Sequence, residues 1–216
     1  DRKYINQEDF DDAVNKIIFK SSKKEKPFKN KDRYIVAVHE AGHVVVGLLL
    51  NDESVAGASI LPQGNSGGHV KIASCNRSIQ LKTEIINQIV IDLAGAAAEK
   101  FFFKDEDYIG ASKDIEHASK RVNEIVTCGC IFGFEYLMKD IHDPFMDNGV
   151  SEARLRKVED KCDEVLKDCM SKASSIIEEN ATLVQKYISA LKRKFTLTRD
   201  DIMRIFKKEN RKRKIA

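Results

Sequence analysis

Apolar residues recur in steps of three and four along most of this chain, and only two short stretches read as strands. Phe10, Ala13, Val14, Ile17 and Ile18, behind Asn6-Gln7-Glu8-Asp9, predict a capped amphipathic helix. The lysine-rich run 21–31, with Pro27, predicts a linker. Residues 32–50 are apolar almost throughout; their valines would also suit a buried strand, and periodicity alone does not decide between the two. The length of the run and the His39-Glu40-Ala41-Gly42-His43 pattern inside it favour a buried helix. Residues 55–61 and 69–74 predict two short strands, joined by the turn-forming run Pro62-Gln63-Gly64-Asn65-Ser66-Gly67-Gly68.

Residues 78–103 then predict one long helix, with Ile79, Ile85, Ile86, Ile89, Val90, Leu93, Ala96 and Ala97 at helical intervals. Ser112 is placed as the N-cap of a helix with Ile115, Ala118, Val122 and Ile125 on one face. Residues 128–150, with Gly129, Gly133, Pro144 and Gly149, are expected to be irregular. From Ser151 the pattern is purely helical: Leu155, Val158, Cys162, Val165 and Cys169 form a seam that Asn180 interrupts. A second helix carries Leu183, Tyr187 and Leu191. A third starts at Thr198, with Asp201 in capping-box position, and buries Ile202, Ile205 and Phe206. There is no internal repeat. The expected fold is mainly α, with one small β-sheet and a C-terminal helical bundle.

Composition narrows the class. The chain has 216 residues, 42% hydrophobic and 33% charged, enough to bury a core, and is expected to form one domain with a small appendage. A formal net charge of +3 does not call for a nucleic-acid partner. The basic excess gathers in 20–33 and 207–214, read as a solvated linker and a terminal tail. The five cysteines are odd in number and lack a CxxC pair, so they are expected to be reduced thiols. By sequence no apolar run approaches the 18 residues that a membrane helix needs, and the chain reads as soluble. It does not begin with Met, and its first residues read as the interior of something longer.

The chemistry lies in 39–43. A helix advances about 100° per residue, so His39 and His43 share a face one turn apart and can offer two imidazole nitrogens to one ion. Glu40, one step round, reaches beside that ion rather than onto it. Two histidines in a zinc site, with a carboxylate as general base, suit hydrolysis of a peptide bond, because zinc lowers the pKa of a bound water to about 7. The apolar runs Val36-Ala37-Val38 and Val44-Val45-Val46 sharpen this reading. Burying three polar groups between them without partners costs several kcal/mol. Gly42 costs about 1 kcal/mol of helix propensity, which points to close backbone approach nearby.

One protein ligand remains to be found. Downstream, Glu99, Asp114 and His117 are the candidates, with His69 and His142 behind them. Asp114 falls in the first turn after Ser112, where the helix dipole keeps a carboxylate ionised. His117 shares its face, so spacing leaves both open.

Val38-His39-Glu40-Ala41-Gly42-His43, followed far downstream by Gly110-Ala111-Ser112-Lys113-Asp114-Ile115, resembles the protease domain of the FtsH family, the AAA+ zinc metalloproteases. Leu61-Pro62-Gln63-Gly64 is similar to that family's Pro-Arg-Gly turn, with Gln63 in place of arginine. Ala94-Gly95 with Ala98-Glu99 is similar to its Gly-Gly…Ala-Glu-Glu helix, with Lys100 in place of the second glutamate. Segment 128–150 lacks the usual tryptophan-glycine. The resemblance implies a zinc-peptidase domain over 32–207, preceded by the remnant of an ATPase lid helix in 1–20 and the linker 21–31, and followed by the basic tail 208–216. It implies Zn2+ held by His39, His43 and Asp114, with Glu40 as the base. It further implies a homo-hexameric ring fed with unfolded or membrane-extracted polypeptide by an ATPase module, at the cytoplasmic side of a membrane. No G-x-x-x-x-G-K-[ST] run occurs in this chain, so an ATPase of that kind would have to lie outside it. A catalytically silent ring scaffold and a stand-alone peptidase are the competing readings.

Overall fold

The computed structural model describes residues 4, 5, 9, 29–51, 55–62, 68–72, 81–104, 111–127 and 152–213. The expected helix over 6–18, most of the linker, and the irregular segment 128–150 lie outside the described residues. The described part is mainly helical with one small sheet, as expected. It divides into two compact units, Asp1–Cys75 with Asn180–Ala216, and Asn76–Glu179.

The first unit is built round helix α1, Asn30–Leu50. It starts two residues before the expected position, inside what reads as linker. Every residue from Ala41 to Leu48 is buried, which marks a helix apolar on all faces and therefore enclosed. By length and composition α1 could cross a bilayer, contrary to the sequence expectation, yet 67% of that stretch is buried inside the protein. It is the core helix of the unit. Strands β1 (Val55–Ser59) and β2 (His69–Ile72) pair antiparallel, Ser59 opposite His69 and Ala58 opposite Val70, with an irregularity between Val55 and Gly57. A Cβ on Gly47 would stand 2.7 Å from the Val55 side chain, so glycine is what lets α1 lie against β1.

Helix α6 (Ala181–Lys194) and helix α7 (Arg199–Arg213) complete this unit, separated by strand β3 (Thr196–Thr198). Leu183, Val184, Tyr187, Ile188 and Leu191 form the buried stripe of α6, which packs on α1. The sheet order is β2-β1-β3, so the sheet has one strand more than expected. Three residues are too short for alternation to register as a strand, and the partner of β3 lies far away in sequence. Phe195 makes the turn into β3 with φ 63, its N–H bonded to the Leu191 carbonyl (2.8 Å) and its own carbonyl accepting from Ile60 N–H (2.9 Å). The start of α7 is capped as expected, Asp201 N–H donating to Thr198 Oγ1 at 3.3 Å. Ile202 is fully buried, whereas Ile205 and Phe206 are only partly so, because a helix at the edge of the unit has one covered side. Helix α7 runs on into the basic stretch as far as Arg213.

The second unit holds α2 (Lys82–Asp92), α3 (Ala94–Phe103), α4 (Ser112–Thr127) and α5 (Glu152–Glu179). The single long helix expected up to residue 103 is thus two, divided at Leu93 (φ −82, ψ −9) just ahead of the low-propensity Gly95. Ala94, Gly95, Ala97 and Ala98 keep α3 slim where it packs on α5. Ser112 stands inside α4 rather than before it, and Ile115 is 44% exposed, while Ala118, Val122 and Ile125 are buried as expected. On α5 the seam buries Val158, Val165 and Cys169, with Leu155 and Cys162 only partly covered. Burial pushes the Cys169 thiol up to about 11, which suits an inert packing residue.

Tyr187 is fully buried, and its hydroxyl donates to the Ile202 carbonyl at 2.9 Å, joining α6 to α7. Burial holds its phenol far above the ordinary range, so it donates at any physiological pH. Tyr187→Phe keeps the packing and removes that bond. It should lower stability by about 1 kcal/mol, read from the urea midpoint at unchanged slope. A midpoint equal to the parent's would mean that this bond does not hold the two helices together.

Candidate metal centre

Helix geometry brings His39 and His43 together, and the structure records how closely. Their Nε2 atoms are 3.1 Å apart, with ring centroids 4.7 Å apart and planes at 73°. Two neutral imidazoles meet Nε2 to Nε2 only when one carries its proton there and the other does not, whereas a cation accepts both lone pairs. Nitrogens bound at about 2.0–2.1 Å with tetrahedral angles lie about 3.3 Å apart, so the pair fits a zinc-sized ion. His43 is 7% exposed and His39 is partly buried.

Glu40 is 4% exposed on the same helix. Its surroundings come from three elements. Val36 lies one turn earlier on α1, Ser59 ends β1, and Gly68 leads into β2. A Cβ on Gly68 would stand 2.5 Å from Glu40 Oε1, so the carboxylate rests against bare backbone. Sequence reasoning reads Gly68 only as the end of a turn. A doubled glycine directly before a strand was the available signal, but nothing local says what it touches. The close approach expected beside Gly42 is recorded instead at Gly47 and Gly68.

The remaining candidates sit as follows. Asp114 is the third residue of α4, in its first turn and partly buried. His117, one turn on, is exposed. Glu99 is buried on α3, 6% exposed. His69 opens β2 opposite Ser59, and His142 lies outside the described residues.

The model of "Peptidase family M41" matches residues 26–205. The ATP-dependent zinc metalloprotease FtsH of Halothermothrix orenii is 30% identical over 206 residues, covering 87% of this chain and 31% of that protein. FtsH 2 of a Thermoanaerobacter species is 29% identical over 207 residues, covering 95% and 39%. FtsH of Bacillus subtilis is 28% identical over 219 residues, covering 93% and 33%. The chain thus spans well under half the length of these relatives. The match takes in the His39–His43 helix, the described sheet and the helices from α1 to the middle of α7, and on that evidence the chain belongs to peptidase family M41, as an FtsH-type protease domain.

Proposed function

We propose that this chain is a zinc-dependent endopeptidase, the proteolytic module of an ATP-dependent FtsH-like protease that degrades unfolded or membrane-extracted polypeptide. The convergence of the His39 and His43 Nε2 atoms beside the buried Glu40 carries the reading. Asp114 is the third protein ligand in this proposal. It adds a carboxylate oxygen to two imidazole nitrogens, a donor set used by catalytic zinc. Its support is the first-turn position and the Gly110–Ile115 motif shared with the family.

Zinc held there would polarise the scissile carbonyl and bring water into the range where it ionises near pH 7. The Glu40 carboxylate takes the proton from the attacking water and returns it to the departing amine nitrogen, so the proton balance closes within one side chain. His39 and His43, carried on one rigid helix turn, keep the Nε2 positions fixed while this occurs. Glu99, buried among alanines of α3, supports a ligand from outside the donor set. Strand β2 lies at one edge of the sheet and begins beside Glu40, which suits an extended substrate held by backbone hydrogen bonds with little side-chain selectivity. In the full-length protein the same reading includes a homo-hexameric ring, an ATPase module that delivers substrate, and a position at the cytoplasmic side of a membrane. The support for the ATPase module is the relatives' names and the part of their length that the chain covers, and the support for the ring and the membrane is the family resemblance alone.

Glu40→Gln removes the proton acceptor and leaves the imidazoles in place. It should retain zinc and lose about 100-fold or more in turnover of casein. Full activity in this variant would sink the assignment of the base.

Asp114→Ala should lose both zinc and activity after dialysis, whereas Glu99→Gln and His117→Ala keep measurable zinc; removing a supporting group costs only about 10–100-fold in affinity. A zinc-replete Asp114→Ala beside a zinc-free His117→Ala would reverse the ligand assignment.

Without ATP, the chain should cut unfolded casein and spare a stable folded reporter, because cleavage then follows the small unfolded population. Rapid cleavage of the folded reporter would contradict this.

A further inference from the structure

Gly68 touches Glu40, and the contact has no slack. A Cβ there would stand 2.5 Å from Glu40 Oε1, 2.8 Å from the Ser59 carbonyl oxygen and 2.8 Å from Val36 Cγ1. All three are below 3.0 Å, a separation that real Cβ contacts essentially never show. The Ser59 carbonyl cannot yield easily. Ser59 is paired to His69 on one side and to Thr196 on the other, and its hydroxyl lies 3.1 Å from Thr196 Oγ1. Val36 belongs to the buried core helix. Of the three neighbours, the Glu40 side chain has the softest torsions, so it is the one that a side chain at position 68 would displace.

The required movement is about 0.9 Å, the difference between the 3.4 Å at which ordinary contact begins and 2.5 Å. Proton transfer needs a heavy-atom separation of about 2.6–3.2 Å, and misplacing a reacting group by about 1 Å can cost about 100-fold. Resting on the reading of Glu40 as the general base, we propose that Gly68 is a positioning residue for catalysis: its bare backbone forms the wall that sets where the Glu40 carboxylate stands. The residue that leads into β2 thereby acts on the reaction without supplying an atom to the chemistry. Gly68 makes this contact through the absence of a side chain, so no polar substitute can reproduce it.

The test is a double-mutant cycle on the zinc-loaded chain with a fluorogenic peptide, using the parent, Gly68→Ala, Glu40→Gln and Glu40→Gln/Gly68→Ala. Gly68→Ala should lower kcat by about 10–100-fold with KM and zinc content nearly unchanged. In the Glu40→Gln background the same substitution should cost less than about threefold, because groups that act as a unit are non-additive. Equal losses in both backgrounds, parent-level kcat in Gly68→Ala, or loss of zinc in step with activity would each overturn the proposal. Urea midpoints cover the case in which Gly68→Ala folds poorly. The drop it causes should be smaller in a Glu40→Ala background, where one of the three contacts is gone, and an equal drop would show that Glu40 does not bear the contact. The two ideas fail separately: an active Glu40→Gln removes the base, whereas an impaired Glu40→Gln beside an active Gly68→Ala removes only the positioning role.

Discussion

A helix that is apolar on every face has to be enclosed, yet α1 carries two imidazoles and a carboxylate in the middle of its buried length. That conflict governs the first unit. Polar groups taken out of water in such a place have to be bonded, since each one left unpaired costs about 2 kcal/mol or more. The two imidazoles meet on one helix turn, with 3.1 Å between their Nε2 atoms. The surrounding elements then have to be close-packed enough to hold the helix still. Gly47 permits this on the β1 side, and the stripe from Leu183 to Leu191 supplies it on the α6 side.

The sheet is small, and its central strand is held from both edges. β2 is its neighbour in sequence, while β3 arrives from beyond α6, where Phe195 in a left-handed conformation turns the chain and bonds to Ile60. Arg199 adds a bond from its guanidinium to the Val55 carbonyl at 2.7 Å, tying the start of α7 to the first residue of β1. These contacts make β1 a fixed reference. The Ser59 carbonyl is thereby a rigid neighbour for Gly68, and the glycine in turn a rigid neighbour for Glu40. A small clamped sheet beside α1 gives a precise position to a side chain that would otherwise sample several rotamers.

The second unit follows a different logic. Its helices are amphipathic, and α4 buries Ala118, Val122 and Ile125 while keeping a charged outer side. Arg121 on α4 bonds Asp92 at the end of α2 at 2.9 Å, a pair partly exposed and worth well under 1 kcal/mol by itself. Packing of small residues on α3 against α5 does more to order this unit. Asp114 stands in the first turn of α4, a position set by where that helix starts.

Much of this was legible along the chain because it depends on local spacing. The four-residue interval between His39 and His43, the position of Asp114 near a helix start, the stripe of α6 and the Thr198 cap of α7 are set by helix geometry, and the family resemblance rested on those same motifs. Other features were not local. The strand Thr196–Thr198 exists only because β1, with Ser59 opposite Thr196 137 residues away, offers a free edge. The long helix expected through 103 divides at Leu93, and Ile115 faces outward although it keeps the period of a buried face. Gly68 is the plainest case. In sequence it is one more turn residue, and only the meeting of α1, β1 and β2 decides that no side chain fits there, because a steric limit of a few tenths of an ångström is a property of packed atoms and not of any pattern along the chain.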